Sequence, residues 1–342
     1  MVEASGHIDV AGASLEFRWV GRAPADGPTI VLLHEGLGCV STWRDFPERL
    51  AARTGWGVFV YARRGYGRSS AYPAPWPLSY MHDEARVVLP ALLDAIGLRR
   101  GVLFGHSDGA SIAAIYAGTK AGTKAGTKAG TKAGTKAGTK AGNKAGTKAG
   151  TKAGASAGAN DGTRAGGNAG TMDGDADAGG AGARAYDSPL GASRADVAID
   201  GAGDPRIAGL VLMAPHFFAE PISIASIAAA RRAYAGTDLR ERLRRHHGAN
   251  VDDAFSGWCD AWLDPGFAAW DLRPLLPAIL RPILAIQGEA DEYGTHKQID
   301  ALRAGAAGPV TVEMLPGCGH APFKERPEAS LEAVARFVAG LT

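Results

Sequence analysis

The chain has 342 residues and a formal net charge of +2, yet residues 117–204 form a Gly-, Ala-, Thr-, Lys- and Asp-rich tract with few large apolar side chains. The remaining 254 residues have ordinary globular composition, which suits one large α/β domain and excludes a collagen-like or wholly disordered chain. The tract holds nine Lys and three Arg against eight Asp, so the rest is near neutral, which gives no reason to expect nucleic acid as a specific partner. No apolar run approaches the ~20 residues of a membrane span.

The first residues lack a basic region followed by an apolar one, and Cys39, Cys259 and Cys318 are too few and too scattered for a disulfide framework or a Cys-based zinc site. The expectation is a cytoplasmic protein with reduced cysteines, no metal and no cofactor.

In chain order, residues 7–10 and 14–20 read as an antiparallel hairpin, and residues 29–33 and 57–61 as short apolar strands. Residues 42–53 and 80–96 are amphipathic at helical spacing. The apolar run 101–104 is a strand, followed by Gly105-His106-Ser107-Asp108-Gly109 and the helix-like residues 110–116.

Nine tandem tetrapeptides then fill residues 117–152, eight Ala-Gly-Thr-Lys and one Ala-Gly-Asn-Lys. A Gly in every repeat costs a helix about 1 kcal/mol relative to Ala, and nothing larger than Ala is there to bury. The tract reads as a disordered insertion, an expansion in a tolerant surface loop.

Residues 207–213, 282–287 and 310–315 complete the strands, with helices at 295–306 and 326–340. Strands alternating with helices predict a mostly parallel sheet with helices on both faces. Residues 215–276 break the alternation, with helical patterns at 224–234 and 238–247, and read as a helical cap between two strands. The expected domain joins residues 1–116 to 205–342. Seven Arg in the cap face eight acids, so the run Arg240-Glu-Arg-Leu-Arg-Arg-His-His247 reads as a solvated helix face.

The chemistry centres on Ser107. In G-x-S-x-G a strand enters a sharp turn that glycine neighbours accommodate, and the Ser is presented at a helix N-terminus. A second match, Gly154-Ala-Ser-Ala-Gly158, has no strand before it and no helix after it. A serine hydroxyl requires a base, and the base an orienting carboxylate. His320 follows the strand 310–315 and Asp291 follows the strand 282–287, with Glu292 as the fallback carboxylate. Three groups beyond the C-terminal ends of three parallel strands converge on one sheet edge. For an oxyanion, the expected donors are the Asp108 N–H and, from the loop after residues 29–33, the Gly36 N–H with Leu37 second.

On His34-Glu-Gly36, Arg64-Gly-Tyr-Gly-Arg-Ser69, Gly105-His-Ser-Asp-Gly109, Gly288-Glu-Ala-Asp291 and Gly317-Cys-Gly-His320, the chain resembles the α/β-hydrolase fold family across the 254 residues outside the tract. The resemblance implies an eight-stranded sheet, a cap after the sixth strand, and Ser107, Asp291 and His320 as nucleophile, carboxylate and base. Two departures stand out: Glu35 where many members have Gly, and Ala62 where members often have Asp. Glu35 either alters the site's electrostatics or is a carboxylate turned to solvent or paired with an Arg such as Arg64. Phe217, Phe218, Trp258 and Trp262 are candidates for an apolar substrate pocket under the cap, core packing being the alternative. The expected function is hydrolysis of a small or medium carboxylic ester. Thioester cleavage, carbon–carbon cleavage of a diketone-like substrate, and non-catalytic ligand binding remain as alternatives.

Overall fold

Side chains on successive strand residues leave opposite faces of a sheet, so a strand apolar throughout feeds two cores at once. In the computed structural model, which describes residues 2–119 and 203–341, β3 (Thr29–Leu33) sends Ile30 and Leu32 to one core and Val31 and Leu33 to the other. Likewise β5 (Gly101–His106) divides Val102 and Phe104 from Leu103, and β7 (Ile283–Gly288) divides Leu284 and Ile286 from Ile283 and Ala285.

The eight strands are ordered β1-β2-β4-β3-β5-β6-β7-β8. β1 (Val2–Val10) and β2 (Ala13–Gly21) form a hairpin that turns at Ala11 and Gly12, both at positive φ, the backbone twist a two-residue hairpin requires. Its strands are longer than the sequence pattern suggests, because pairing continues out to Val2 and Gly21. β2 is antiparallel to β4 (Gly57–Tyr61), and from there the pairs are parallel through β3, β5, β6 (Ile207–Met213), β7 and β8 (Val310–Leu315).

Helix α1 (Phe46–Thr54) ends on Gly55 in the left-handed conformation. The expected start of this helix at residue 42 is a separate 3-10 turn, Val40–Trp43, broken off at Arg44 with φ 55°. The expected helix 80–96 divides into α2 (Tyr80–Asp83), a wider π turn (Glu84–Val88) and α3 (Leu89–Ala95); Pro90, which has no N–H to donate, lies just after the turn. α4 (Asp108–Gly118) follows Ser107.

Between β6 and β7 the chain forms α5 (Pro221–Gly236), α6 (Leu239–His247) and α7 (Val251–Leu263). α7 is apolar on one face and absent from the sequence reading. Residues at the two ends of this excursion are tied together: the Leu272 N–H donates to the Phe217 carbonyl at 2.6 Å, and Phe218 bridges Asp271. α8 (His296–Gly305), capped by Thr295, α9 (Pro322–Glu325) and α10 (Pro327–Ala339) complete the fold. α1 and α10 contribute Leu50, Leu331 and Val334 to one core, and α3, α4 and α8 contribute Leu92, Ile112 and Leu302 to the other.

The insertion expected at residues 117–204 falls, for residues 120–202, outside the described residues. Its expected edges shift inward: Ala117 and Gly118 belong to α4, and Asp204 is held by Tyr116 and Arg206. Among the described residues no helix is long and apolar enough to cross a membrane.

Candidate active site

β5 ends at His106, and Ser107 makes the turn into α4 at φ 53° and ψ −119°. For a residue with a Cβ this conformation costs about 1–3 kcal/mol. Its neighbours explain how the turn fits. A Cβ on Gly105 would strike the Gly109 carbonyl, and a Cβ on Gly109 would strike the Leu33 carbonyl. Only glycine lets the strand, the helix and the end of β3 approach this closely. Ser107 is left 7% exposed.

The His320 Nε2 lies 2.9 Å from the Ser107 Oγ, and its Nδ1 lies 2.8 and 2.9 Å from the two Asp291 oxygens. The carboxylate accepts further hydrogen bonds from the N–H groups of Tyr293 (2.8 Å) and Gly294 (3.1 Å) and from the Gln287 side chain (2.7 Å). Burial works against its charge, but the His320 hydrogen bond and charge and the Tyr293 N–H hold the Asp291 carboxyl down at about 2. Glu292, the fallback, instead accepts from the His320 backbone N–H at 3.2 Å. The loops carrying Asp291 and His320 touch, since a Cβ on Gly288 would strike the carbonyls of Cys318 and Gly319.

Across from this chain of bonds is the loop after β3. The Glu35 carbonyl accepts from the His34 Nδ1–H (2.6 Å), the Arg63 guanidinium (3.1 Å) and the Gly38 N–H (3.1 Å). A trans peptide points its N–H away from its C=O, so these three donors also fix the direction of the Gly36 N–H. Among the described residues neither that N–H nor those of Leu37 and Asp108 has an acceptor. A Cβ on Gly36 would strike the Trp258 indole nitrogen, which places α7 directly over the loop.

Glu35 pairs with Lys324 at 3.4 Å rather than with Arg64, and its Oε2 lies 3.4 Å from the His106 Nδ1. Although burial opposes its charge, Lys324 and His106 hold its carboxyl well below the usual range. The His106 Nε2 donates to the His320 carbonyl at 2.7 Å. The Asp108 side chain does not face outward: it accepts from the Tyr80 hydroxyl at 2.5 Å and lies 3.9 Å from the buried Arg63. Burial raises the Asp108 carboxyl against the lowering effect of Arg63 and Tyr80.

Of the four aromatic pocket candidates, Trp258 covers Gly36, and Trp262 donates to the Tyr80 hydroxyl at 3.0 Å while its ring meets His216 edge-on at 5.3 Å. Phe217 is fully buried in the core, and the Phe218 ring lies under the Arg273 guanidinium. Sequence reasoning missed Arg63, Tyr80 and His216, none of which falls in a local motif. The His216 ring is 5.6 Å from that of His320, with its Nδ1 buried and unpartnered; burial, reinforced by His320, pushes its pKa down to about 3.

This strand order and these loops are those of the α/β-hydrolase fold, and a family model described as alpha/beta hydrolase fold matches residues 28–124. The chain is 32% identical over 111 residues to proline iminopeptidase of Lactobacillus helveticus, across 32% of this chain and 37% of that protein. It is 35% identical over 98 residues to epoxide hydrolase B of Mycobacterium tuberculosis, across 28% of this chain and 26% of that protein. These matches therefore span about a third of the curated relatives' length. Among solved structures, a hydrolase from Pseudomonas aeruginosa PA01 aligns with a TM-score of 0.57 at 20% identity, covering 98% of each chain.

Proposed function

We propose that the chain is a serine hydrolase that cleaves a small or medium carboxylic ester through an acyl-enzyme on Ser107. The observation that carries this reading is the continuous chain of hydrogen bonds from Ser107 through His320 to Asp291. His320 takes the Ser107 proton as the hydroxyl attacks the ester carbonyl, and Asp291 stabilises the imidazolium that forms. The Asp108 and Gly36 N–H groups, with Leu37 in reserve, stabilise the tetrahedral oxyanion. The alcohol leaves with the proton held by His320, and water activated by the same ring releases the acid.

A serine nucleophile separates this chemistry from that of family members that attack with Asp, so the likeness to an epoxide hydrolase supports the scaffold and not the reaction. Trp258, Trp262 and Glu35 stand against the loops of the site and are the pocket residues this reading favours over Phe217 and Phe218. We read residues 1–119 and 203–342 as one domain, with 120–202 as an insertion inside the expected 117–204, in a cytoplasmic enzyme acting on small molecules.

The test is hydrolysis of p-nitrophenyl acetate, butyrate and octanoate by the wild type and by Ser107→Ala. Turnover lost in the variant supports the nucleophile, and the preferred chain length sizes the acyl pocket. Equal rates in both proteins, or none in either, overturn the ester reading in favour of thioester or carbon–carbon cleavage, or of ligand binding without turnover.

A further inference from the structure

The last turn of α6 belongs to a strongly basic segment, yet Leu239, Leu243 and His247 recur every four residues and share one helix face. His247 is 2% exposed. Its Nδ1 accepts from the Gly67 N–H at 3.0 Å, and its Nε2 lies 3.0 Å from the Leu37 carbonyl. A backbone N–H can only donate and a carbonyl can only accept, so the ring is neutral with its proton on Nε2.

His34 repeats this arrangement with the nitrogens exchanged. Its Nε2 accepts from the Arg63 N–H at 3.0 Å and its Nδ1–H donates to the Glu35 carbonyl. Two neutral imidazoles thus bridge the same pair of loops, from the N–H groups of Arg63 and Gly67 to the carbonyls of Glu35 and Leu37. Between those carbonyls lie the Gly36 and Leu37 N–H groups. One imidazole comes from the loop itself and the other from the cap, where Asn250 also donates to the Ser69 carbonyl at 2.8 Å and Trp258 covers Gly36.

We infer that His247 is a positioning residue for the oxyanion loop, delivered by the cap, so that the cap completes the reaction centre as well as enclosing it. The inference rests on the serine-hydrolase reading above. A misplacement of about 1 Å at a reaction centre can cost about 10²-fold in rate, because the site gains from donors fixed in advance.

The experiment compares full-length wild type, H247N and H247Q in p-nitrophenyl butyrate hydrolysis, with fluorophosphonate labelling of Ser107 alongside. H247N keeps an acceptor for the Gly67 N–H but loses the donor to Leu37, whereas H247Q carries an amide donor out toward the Nε2 position. The expected result is a kcat about 10–100-fold lower in H247N with KM little changed, and recovery in H247Q to within about threefold of wild type. H247N at wild-type kcat, a loss confined to KM, or equal losses in both variants overturns the inference while wild-type turnover upholds the serine-hydrolase reading. A wild type that neither turns over nor labels overturns both. If H247N does not fold, H247Q decides: kcat within about threefold of wild type supports the inference, and a loss of about tenfold or more overturns it.

Discussion

Tyr116 and Asp204, 88 residues apart in the sequence, are joined by a 2.5 Å hydrogen bond. Asp204 also pairs with Arg206 at 2.7 Å, and a Cβ on Gly203 would be in ordinary contact with the Ala117 carbonyl. The two ends of the intervening segment are therefore clasped within the fold itself. Lengthening or shortening a loop between fixed ends costs little, since each doubling of length adds only about 0.6 kcal/mol.

Removing residues 120–202 and joining Thr119 to Gly203 with a short Gly-Ser linker is therefore expected to leave the melting temperature within about 4 °C of wild type, with ester turnover intact. A fall of about 10 °C, measured by differential scanning calorimetry, or loss of turnover would show that the segment contributes to the folded structure. Tyr116→Phe should cost about 1 kcal/mol, because Asp204 keeps Arg206 as a partner.

Asp291→Asn separates activity from stability. The Asn carbonyl can keep the N–H groups of Tyr293 and Gly294, and Gln287, whose Oε1 is buried and unpartnered, can turn to accept from the new amide. The amide also faces the His320 Nδ1, which must then give up its proton there and lose its role as base toward Ser107. We expect kcat to fall roughly 10³–10⁴-fold with the melting temperature little changed. Equal kcat in both proteins would exclude Asp291 as the orienting carboxylate.

Arg63 is 3% exposed and holds the carbonyls of His34 (3.0 Å) and Glu35 while lying near Asp108. Arg63→Leu leaves the buried Asp108 carboxylate without its nearest cation and should cost about 3–5 kcal/mol, measured by urea denaturation. Arg63→Leu combined with Asp108→Asn should recover part of that loss, because the stranded charge is gone; a double variant no more stable than Arg63→Leu alone would show that the guanidinium acts through the carbonyls only.

Acid sensitivity should arise from buried histidines. An unfolded His takes up a proton below a pH of about 6.5, whereas His216 in the folded protein stays neutral down to about 3. Between these values the unfolded state binds more protons, so stability is full above the upper limit and is lost as pH falls toward the lower. His34 and His247, lowered chiefly by burial, act in the same direction. His216 alone should contribute about 2 kcal/mol of destabilisation between pH 6.5 and 5. His216→Leu should flatten the fall in melting temperature over that range, and an unchanged slope would count against a buried neutral ring.

Much of this fold is written locally. Each buried strand is a run of apolar residues, and the Gly105–Gly109 pentapeptide carries in its glycines the reason its turn closes so tightly. The meeting of Ser107, His320 and Asp291 was legible because the elements that position them are regular. Arg63, Tyr80 and His216 were not, since each draws its role from partners scattered through the chain that no periodicity connects. His247 left a faint signal in its four-residue spacing from Leu243 and Leu239, overshadowed by five basic neighbours in the same helix. The division of the helix expected at 80–96 was hidden for another reason: apolar spacing continues across Pro90 although backbone hydrogen bonding cannot.

The paired backbone at Phe217 and Leu272 makes the segment between β6 and β7 resemble a cassette that could be exchanged for that of another protein of this fold. His247 and Trp258 limit that exchange. A transplanted segment would have to bring its own imidazole to Leu37 and its own ring to Gly36, or the recipient would inherit a new pocket along with a loosened reaction centre.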